Sequence, residues 1–336
     1  MQNVMNKARM RGMVHVPLPL QRLFSYGSSD TIDIDYLQVG TMENSGNFEQ
    51  PDEQLHGQRI AAQQAKARAG GANSAAVRYR FIARGKPEED APPLARLLRG
   101  GGGRGGKARL QLYLSMLWLS RNENAPHFEY PAYQWARLLG AKKPDTAGAR
   151  QIQQALRWLD GEAFVRLQHR QGAPSAIHLL SDTGTGRPYE APGLAYKKVP
   201  KAQRGEHLYV QLSAALWTSG WIAELSGAAI AMYLVLLHEA RGEDKPVWLS
   251  PRIGRERYDL SDETRRKGLS DLVERQLVSV RRRPVHQGLF EDHYRSRNVY
   301  QLLPDRLTRY ATDEGPHSWG QGWGGGMEPF DPFASL

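Results

Sequence analysis

Residues Ser261–Val278 read SDETRRKGLSDLVERQLV. Ser261 is a residue type that caps helix N-termini, because its hydroxyl accepts an otherwise unpaired backbone N–H. Leu269, Leu272 and Val273 then recur at helical spacing and give the segment one apolar face. Leu277 and Val278 follow at once and begin a strand-like run through Arg282. Upstream, the pattern predicts a helix from Leu225 to Arg241 and a short one from Pro251 to Tyr258. Downstream, Asn298–Leu303 is a second strand, joined to the first across a basic turn, Arg283–Arg297.

An earlier block has the same order. An apolar helix is expected at Leu110–Leu119, a short helix at Pro131–Leu139, and a third at Ala147–Asp160. Ile152, Ala155, Leu156 and Leu159 line one face of the third helix. Strands at Phe164–Gln168 and Ala176–Leu180 flank a polar turn, His169–Ser175. Tyr113 and Tyr233, Leu117 and Leu237, and Pro131 and Pro251 are each 120 residues apart. Leu156 and Leu269, Leu159 and Leu272, Phe164 and Leu277, and Val165 and Val278 are each 113 apart. The difference of seven falls in the loop before the third helix, where the first block has Ala141–Gly148. Loops absorb insertions readily, so the two blocks read as a duplicated fold.

Composition narrows the function classes. The 336 residues carry a formal net charge of +10, which favours polyanionic partners. There is no cysteine, which excludes disulfides, thiolate metal sites and cysteine nucleophiles and suits a reducing cytoplasm. The longest apolar stretch, Leu225–Leu237, is shorter than the roughly 20 residues a bilayer needs, and the N-terminal residues lack a signal-peptide apolar run. The expected class is mainly α with small β-hairpins. Residues 1–75 read as poorly ordered, and 76–107 as a strand (Ala76–Ala83) plus a flexible Gly-rich basic linker (Arg99–Lys107). The first folded block spans 108–181, a connector 182–206, the second block 207–310, and a disordered tail 311–336.

Helix, short helix, third helix and two-stranded hairpin resemble a winged-helix domain, so the chain resembles a tandem winged-helix protein. The second block resembles the family's Ser-x-x-Thr, Leu-x-x-Leu and Gly-Leu-Val pattern through Ser261, Thr264, Leu269, Leu272, Leu277 and Val278. It departs at Gln276, where the pattern has Gly, and at Arg265, where it buries an aliphatic residue; Ile152 fills that place in the first block. Two such domains in one basic chain are similar to plasmid replication initiators. The resemblance implies sequence-specific binding of double-stranded DNA at origin repeats, nucleoid or plasmid association, and recruitment of replication proteins, with homodimerisation as an option. It implies no catalysis, cofactor, metal or membrane. A winged-helix transcriptional repressor is the alternative, and a primase-like or nicking enzyme the third reading.

The third helix of each block is the expected major-groove reader, since its apolar face is taken by the core. The second block offers Thr264, Arg266, Lys267 and Ser270, with Arg255 and Arg257 beside them for the DNA backbone. The first offers Arg150, Gln151, Gln153, Gln154 and Arg157; glutamine suits adenine edges, and arginine suits guanine or phosphate. In the wings, Arg281, Arg282 and Arg283 enter the long turn and Arg295 and Arg297 return from it, placed for a minor groove. His169 and Arg170 are the first-block counterpart.

Other motifs fall short. Gly101–Ala108 nearly matches a phosphate-binding loop but has Ala108 where a magnesium-holding hydroxyl belongs. Asp33 and Asp35 share a strand face as in metal-dependent polymerases, yet stand alone. His238-Glu239 lacks the second histidine of a zinc-protease helix, and no His-x-His pair is present. Trp319, Trp323, Phe330 and Phe333 are isolated tail aromatics of the kind that dock into partner pockets. Gln21-Arg22-Leu23-Phe24 vaguely resembles a sliding-clamp-binding peptide.

Overall fold

The computed structural model describes residues 51–100, 104–120, 123–286 and 294–308. The expectations placed on Asp33, Asp35, Gln21–Phe24 and the tail aromatics lie outside these residues. The described chain is mainly helical with three small antiparallel sheets.

Helix α1 (Pro51–Arg68) leads into β1 (Ser74–Arg78), a helical turn α2 (Tyr79–Ile82) and a short α3 (Pro93–Leu98). The first block follows as α4 (Arg104–Leu119), β2 (His127–Phe128), α5 (Ala132–Leu138), a π-turn at Pro144–Gly148, α6 (Ala149–Gly161), β3 (Val165–Gln168) and β4 (Ala176–Leu179). Next come α7 (Pro192–Lys198), a 3₁₀ stretch (Lys201–His207), β5 (Tyr209–Ser213), α8 (Ala215–Thr218) and α9 (Trp221–Glu224). The second block is α10 (Gly227–Ala240), α11 (Pro251–Tyr258), α12 (Asp262–Glu274), β6 (Val278–His286) and β7 (Tyr294–Leu302), closed by α13 (Asp305–Thr308).

The 113-residue offset recurs in the elements at the centre of the two blocks. Helices α6 and α12 each hold 13 residues, and both their ends lie 113 apart. Strands β3 and β6 start with the same offset. In the first block β2 joins β4 and β3 in a three-stranded sheet. In the second, Val247, which lies 120 residues after His127, makes a single bridge to Tyr300 on β7.

Helices α4 and α10 are apolar on nearly every side, the pattern of a helix buried all round. Leu110, Leu112, Leu114 and Met116 of α4 and Ile230, Met232, Leu234 and Leu236 of α10 are all buried. The two helices pack against each other, and the third helices pack outside them: α6 on α4 and α5, α12 on α10 and α11. Gly268 makes the second crossing close, since a Cβ there would overlap the Ala228 carbonyl oxygen and lie 2.6 Å from Met232 Cγ. Trp118 stacks on Trp217 at 4.8 Å, and the Trp217 indole donates to Ser115 Oγ at 2.8 Å. Buried side chains from Ala62 to Leu307 thus form one continuous core.

Serine side chains cap all three major helices of the second block. Ser226, Ser250 and Ser261 accept from Ala229, Ile253 and Thr264 backbone N–H groups at 3.1 Å each. Ser261 therefore caps α12 as its sequence position predicts.

Four expectations need correction. Residues 51–75 hold α1 and the start of β1 rather than an unstructured segment; Gln58 is buried and donates to the Leu138 and Trp217 carbonyls. The predicted strand Ala76–Ala83 is strand only through Arg78, then turns helical and buries Phe81 and Ile82. In the Gly-rich basic run, Arg104–Lys107 belong to α4. A Cβ at Gly106 would meet the Leu98 carbonyl oxygen at 2.6 Å, so glycine there permits tight packing of α4 on α3. The connector 182–206 is anchored: Asp182 and Arg78 form an ion pair at 0 and 4 % side-chain exposure, and β5 pairs with β1 just beyond it.

Candidate functional site

The exposed polar surfaces of α6, α12 and the β6–β7 hairpin differ in how far their charges are already satisfied. On α6, Ile152, Ala155, Leu156 and Leu159 are buried and Arg150, Gln151, Gln153, Gln154 and Arg157 are exposed. None of these five side chains makes a hydrogen bond or ion pair with another described residue. Lys142 and Lys143 are exposed in the seven-residue insertion just before the helix. The repeat offsets reveal the insertion, but its two lysines lie outside the helical pattern that marks the other candidates.

The α12 surface is more engaged. Lys267 pairs with Glu263 at 2.6 Å, Ser270 donates to Glu274 at 3.0 Å, and Thr264 Oγ1 lies 2.9 Å from its capping partner Ser261. The hydrogen bond from Lys267, reinforced by the charge of Arg266, holds the Glu263 carboxyl below the usual range. Arg255 pairs with Asp262 and so ties α11 to the first turn of α12. Arg257 donates to Glu239 at 3.0 Å. Arg265 is buried at 4 % exposure against Gly254 of α11, with Asp262 4.0 Å from its Nε. The position that Ile152 fills with hydrocarbon is here filled by an arginine stem.

The second hairpin is longer than the sequence suggests, because pairing continues to His286 and Tyr294. Arg283, Arg295 and Arg297 therefore lie in paired strands and not in a turn. Arg281, Arg282 and Arg283 are exposed. Register sets Arg283 directly opposite Arg297, and Arg295 opposite Val285. Like charges directly opposed across a ladder are destabilising. Arg297 is steadied from below by the Trp248 ring, 4.2 Å from its guanidinium carbon. Trp248 is 41 % exposed; its only sequence signal is that of a lone tryptophan ahead of a basic hairpin.

The first hairpin is less available. Arg170 donates to Glu129 at 2.7 Å, which holds that carboxyl below its usual range, and His169 Nδ1 lies 3.1 Å from Ser175 Oγ.

Among the described residues no cluster of three or more metal-ligating side chains occurs, and no helix is long and apolar enough to cross a membrane. His238 of the zinc-protease-like dipeptide is a core residue. Its Nδ1 lies 2.7 Å from Tyr258 OH, which donates on to Glu239, and burial pushes its pKa down to about 3. No known protein family, curated protein or solved structure matches the chain.

Proposed function

We propose that the protein binds double-stranded DNA sequence-specifically through two winged-helix modules, in the manner of a plasmid-type replication initiator. One observation carries the reading. Two 13-residue helices, at matched places in a repeated helix–helix–helix–hairpin order, each bury one face and present a polar one. A helix of that kind fits the major groove, and a cationic hairpin beside it fits the adjacent backbone or minor groove. The net charge of +10 supports the same partner.

Anisotropy titration of labelled duplexes from the neighbouring genomic DNA tests this. The expected result is tight binding to a subset containing direct repeats, with affinity falling steeply as salt rises. An initiator also restores replication to a plasmid lacking its own. A repressor instead occupies a promoter and needs no replication partner. Equal affinity for every duplex would overturn sequence specificity, and no binding to any duplex would overturn the DNA reading altogether.

A further inference from the structure

We infer that the two modules divide the work: α6 reads bases in an adenine-containing half-site, while in the second module the β6–β7 hairpin, and not α12, holds the sugar–phosphate backbone. This rests on the DNA-binding reading and deepens it. The repeat offset of 113 matches the two helices position by position. Arg150 of α6 corresponds to Glu263 of α12, Gln153 to Arg266, Gln154 to Lys267, and Arg157 to Ser270. All of these except the half-buried Ser270 are exposed.

On α6 all four are exposed and uncommitted among the described residues, and two are glutamines. A glutamine amide both donates and accepts, which matches adenine N6 and N7 in the major groove. On α12 the first of the four is a carboxylate. Glu263 holds Lys267 at 2.6 Å and faces outward at 65 % exposure, where a duplex would come close. An acid there repels phosphate and occupies the lysine that would otherwise reach a base. Glu274 takes the Ser270 hydroxyl in the same way. The hairpin carries the complementary trait. Arg281, Arg283 and Arg297 share one face by register, and Arg283 opposes Arg297 without an intervening acid. That concentration of positive charge suits a phosphate track, which carries no sequence information.

The test selects duplexes from a pool with a randomised centre about three helical turns long, using the full chain and three variants. For Gln153→Ala/Gln154→Ala, the adenine-bearing half of the enriched site should vanish and the specific-to-random affinity ratio should fall by about tenfold, the equivalent of one good base pairing. The salt slope should stay as in the parent. For Arg281→Ala/Arg283→Ala, the enriched sequence should be unchanged. Specific and random duplexes should weaken alike, and the salt slope should drop by about 1 for each phosphate no longer neutralised. Glu263→Gln should tighten binding to both duplexes several-fold without altering the enriched sequence. Circular dichroism of each variant checks that the fold is retained. If the hairpin or Glu263 variants change the enriched sequence, or the glutamine variant does not, the division of work is wrong while DNA binding stands. If the parent chain enriches nothing and binds no duplex, both readings fall.

Discussion

Ala163 and Gln276 occupy the same left-handed backbone position 113 residues apart, with φ of 59° and 56°. Each ends the turn after the third helix of its block, where Phe164 N–H and Leu277 N–H reach back to the Leu159 and Leu272 carbonyls at 2.8 and 3.0 Å. The helix termination requires a positive φ, and neither residue is the glycine that adopts one without strain. Gln276→Gly should raise stability by about 0.5–1 kcal/mol, the relief of left-handed strain less the added freedom of the unfolded chain. Gln276→Val should lower it, since β-branching worsens the same strain. Urea denaturation of the three proteins measures both.

The Arg78–Asp182 pair should be far more sensitive than any surface pair. Both side chains are buried, and Asp182 also accepts the Arg78 backbone N–H at 3.1 Å. Asp182→Ala leaves a guanidinium uncompensated in the core and should cost about 3–5 kcal/mol. Removing both charges, as Arg78→Met/Asp182→Leu, should recover much of that loss. A double variant less stable than Asp182→Ala would show that the guanidinium is still held by its remaining bond to the Glu190 carbonyl and not stranded in the single variant.

Gly268 sits where the first block has Ala155, yet the two positions should not be exchangeable. A methyl at Gly268 would run into the Ala228 carbonyl oxygen and come within 2.6 Å of Met232 Cγ. Gly268→Ala should push α12 off α10 and cost about 1–3 kcal/mol or more, as overpacking does, despite alanine's better helix propensity. Duplex affinity should fall with it, because α12 and the hairpin move together. Thermal melting of the variant beside the parent gives the answer.

His238 predicts an acid-sensitive core. Its folded pKa of about 3 lies below the ordinary value of 6.5, because burial and the Arg257 and Arg241 charges oppose protonation. Below about pH 6.5 the unfolded chain takes up a proton that the folded chain refuses. Stability should therefore decline as pH falls from about 6.5 towards 3, by up to about 1.4 kcal/mol per pH unit. His238→Gln should be less stable at neutral pH, having no ring to partner Tyr258, but should show a flatter decline. Urea midpoints at neutral pH and at about pH 5, inside the titration window, test the slope; parallel slopes would remove His238 from the account.

The repeat was legible because strong local signals carry it: the 3–4 spacing of Leu156, Leu159, Leu269 and Leu272, and the Ser261 cap. What escaped had no local signal. Helix α1 has weak amphipathicity and many alanines, and it is held by distant carbonyls through Gln58. The 182–206 segment reads as a linker from its Gly and Pro content, but Asp182 and Tyr189 bury it. Of the candidate contact residues, exposure on the helices was foreseeable from the helical wheel and the i,i+4 pair of Lys267 with Glu263 from its spacing; the ion pairs that occupy Arg170, Arg255 and Arg257 were not. Such pairs depend on neighbours such as Glu129 and Glu239 that only the fold brings near.

The unbroken packing of α4 on α10 has a further effect. Because the two halves share an interior, the separation and relative twist of α6 and α12 are properties of the folded chain and not of a tether. A duplex engaging both must present the bases that α6 meets and the phosphates that the hairpin meets in one fixed helical phase. Footprints on different target sequences should therefore keep the same spacing between the base contacts and the protected phosphate track, with no hinge to lengthen it.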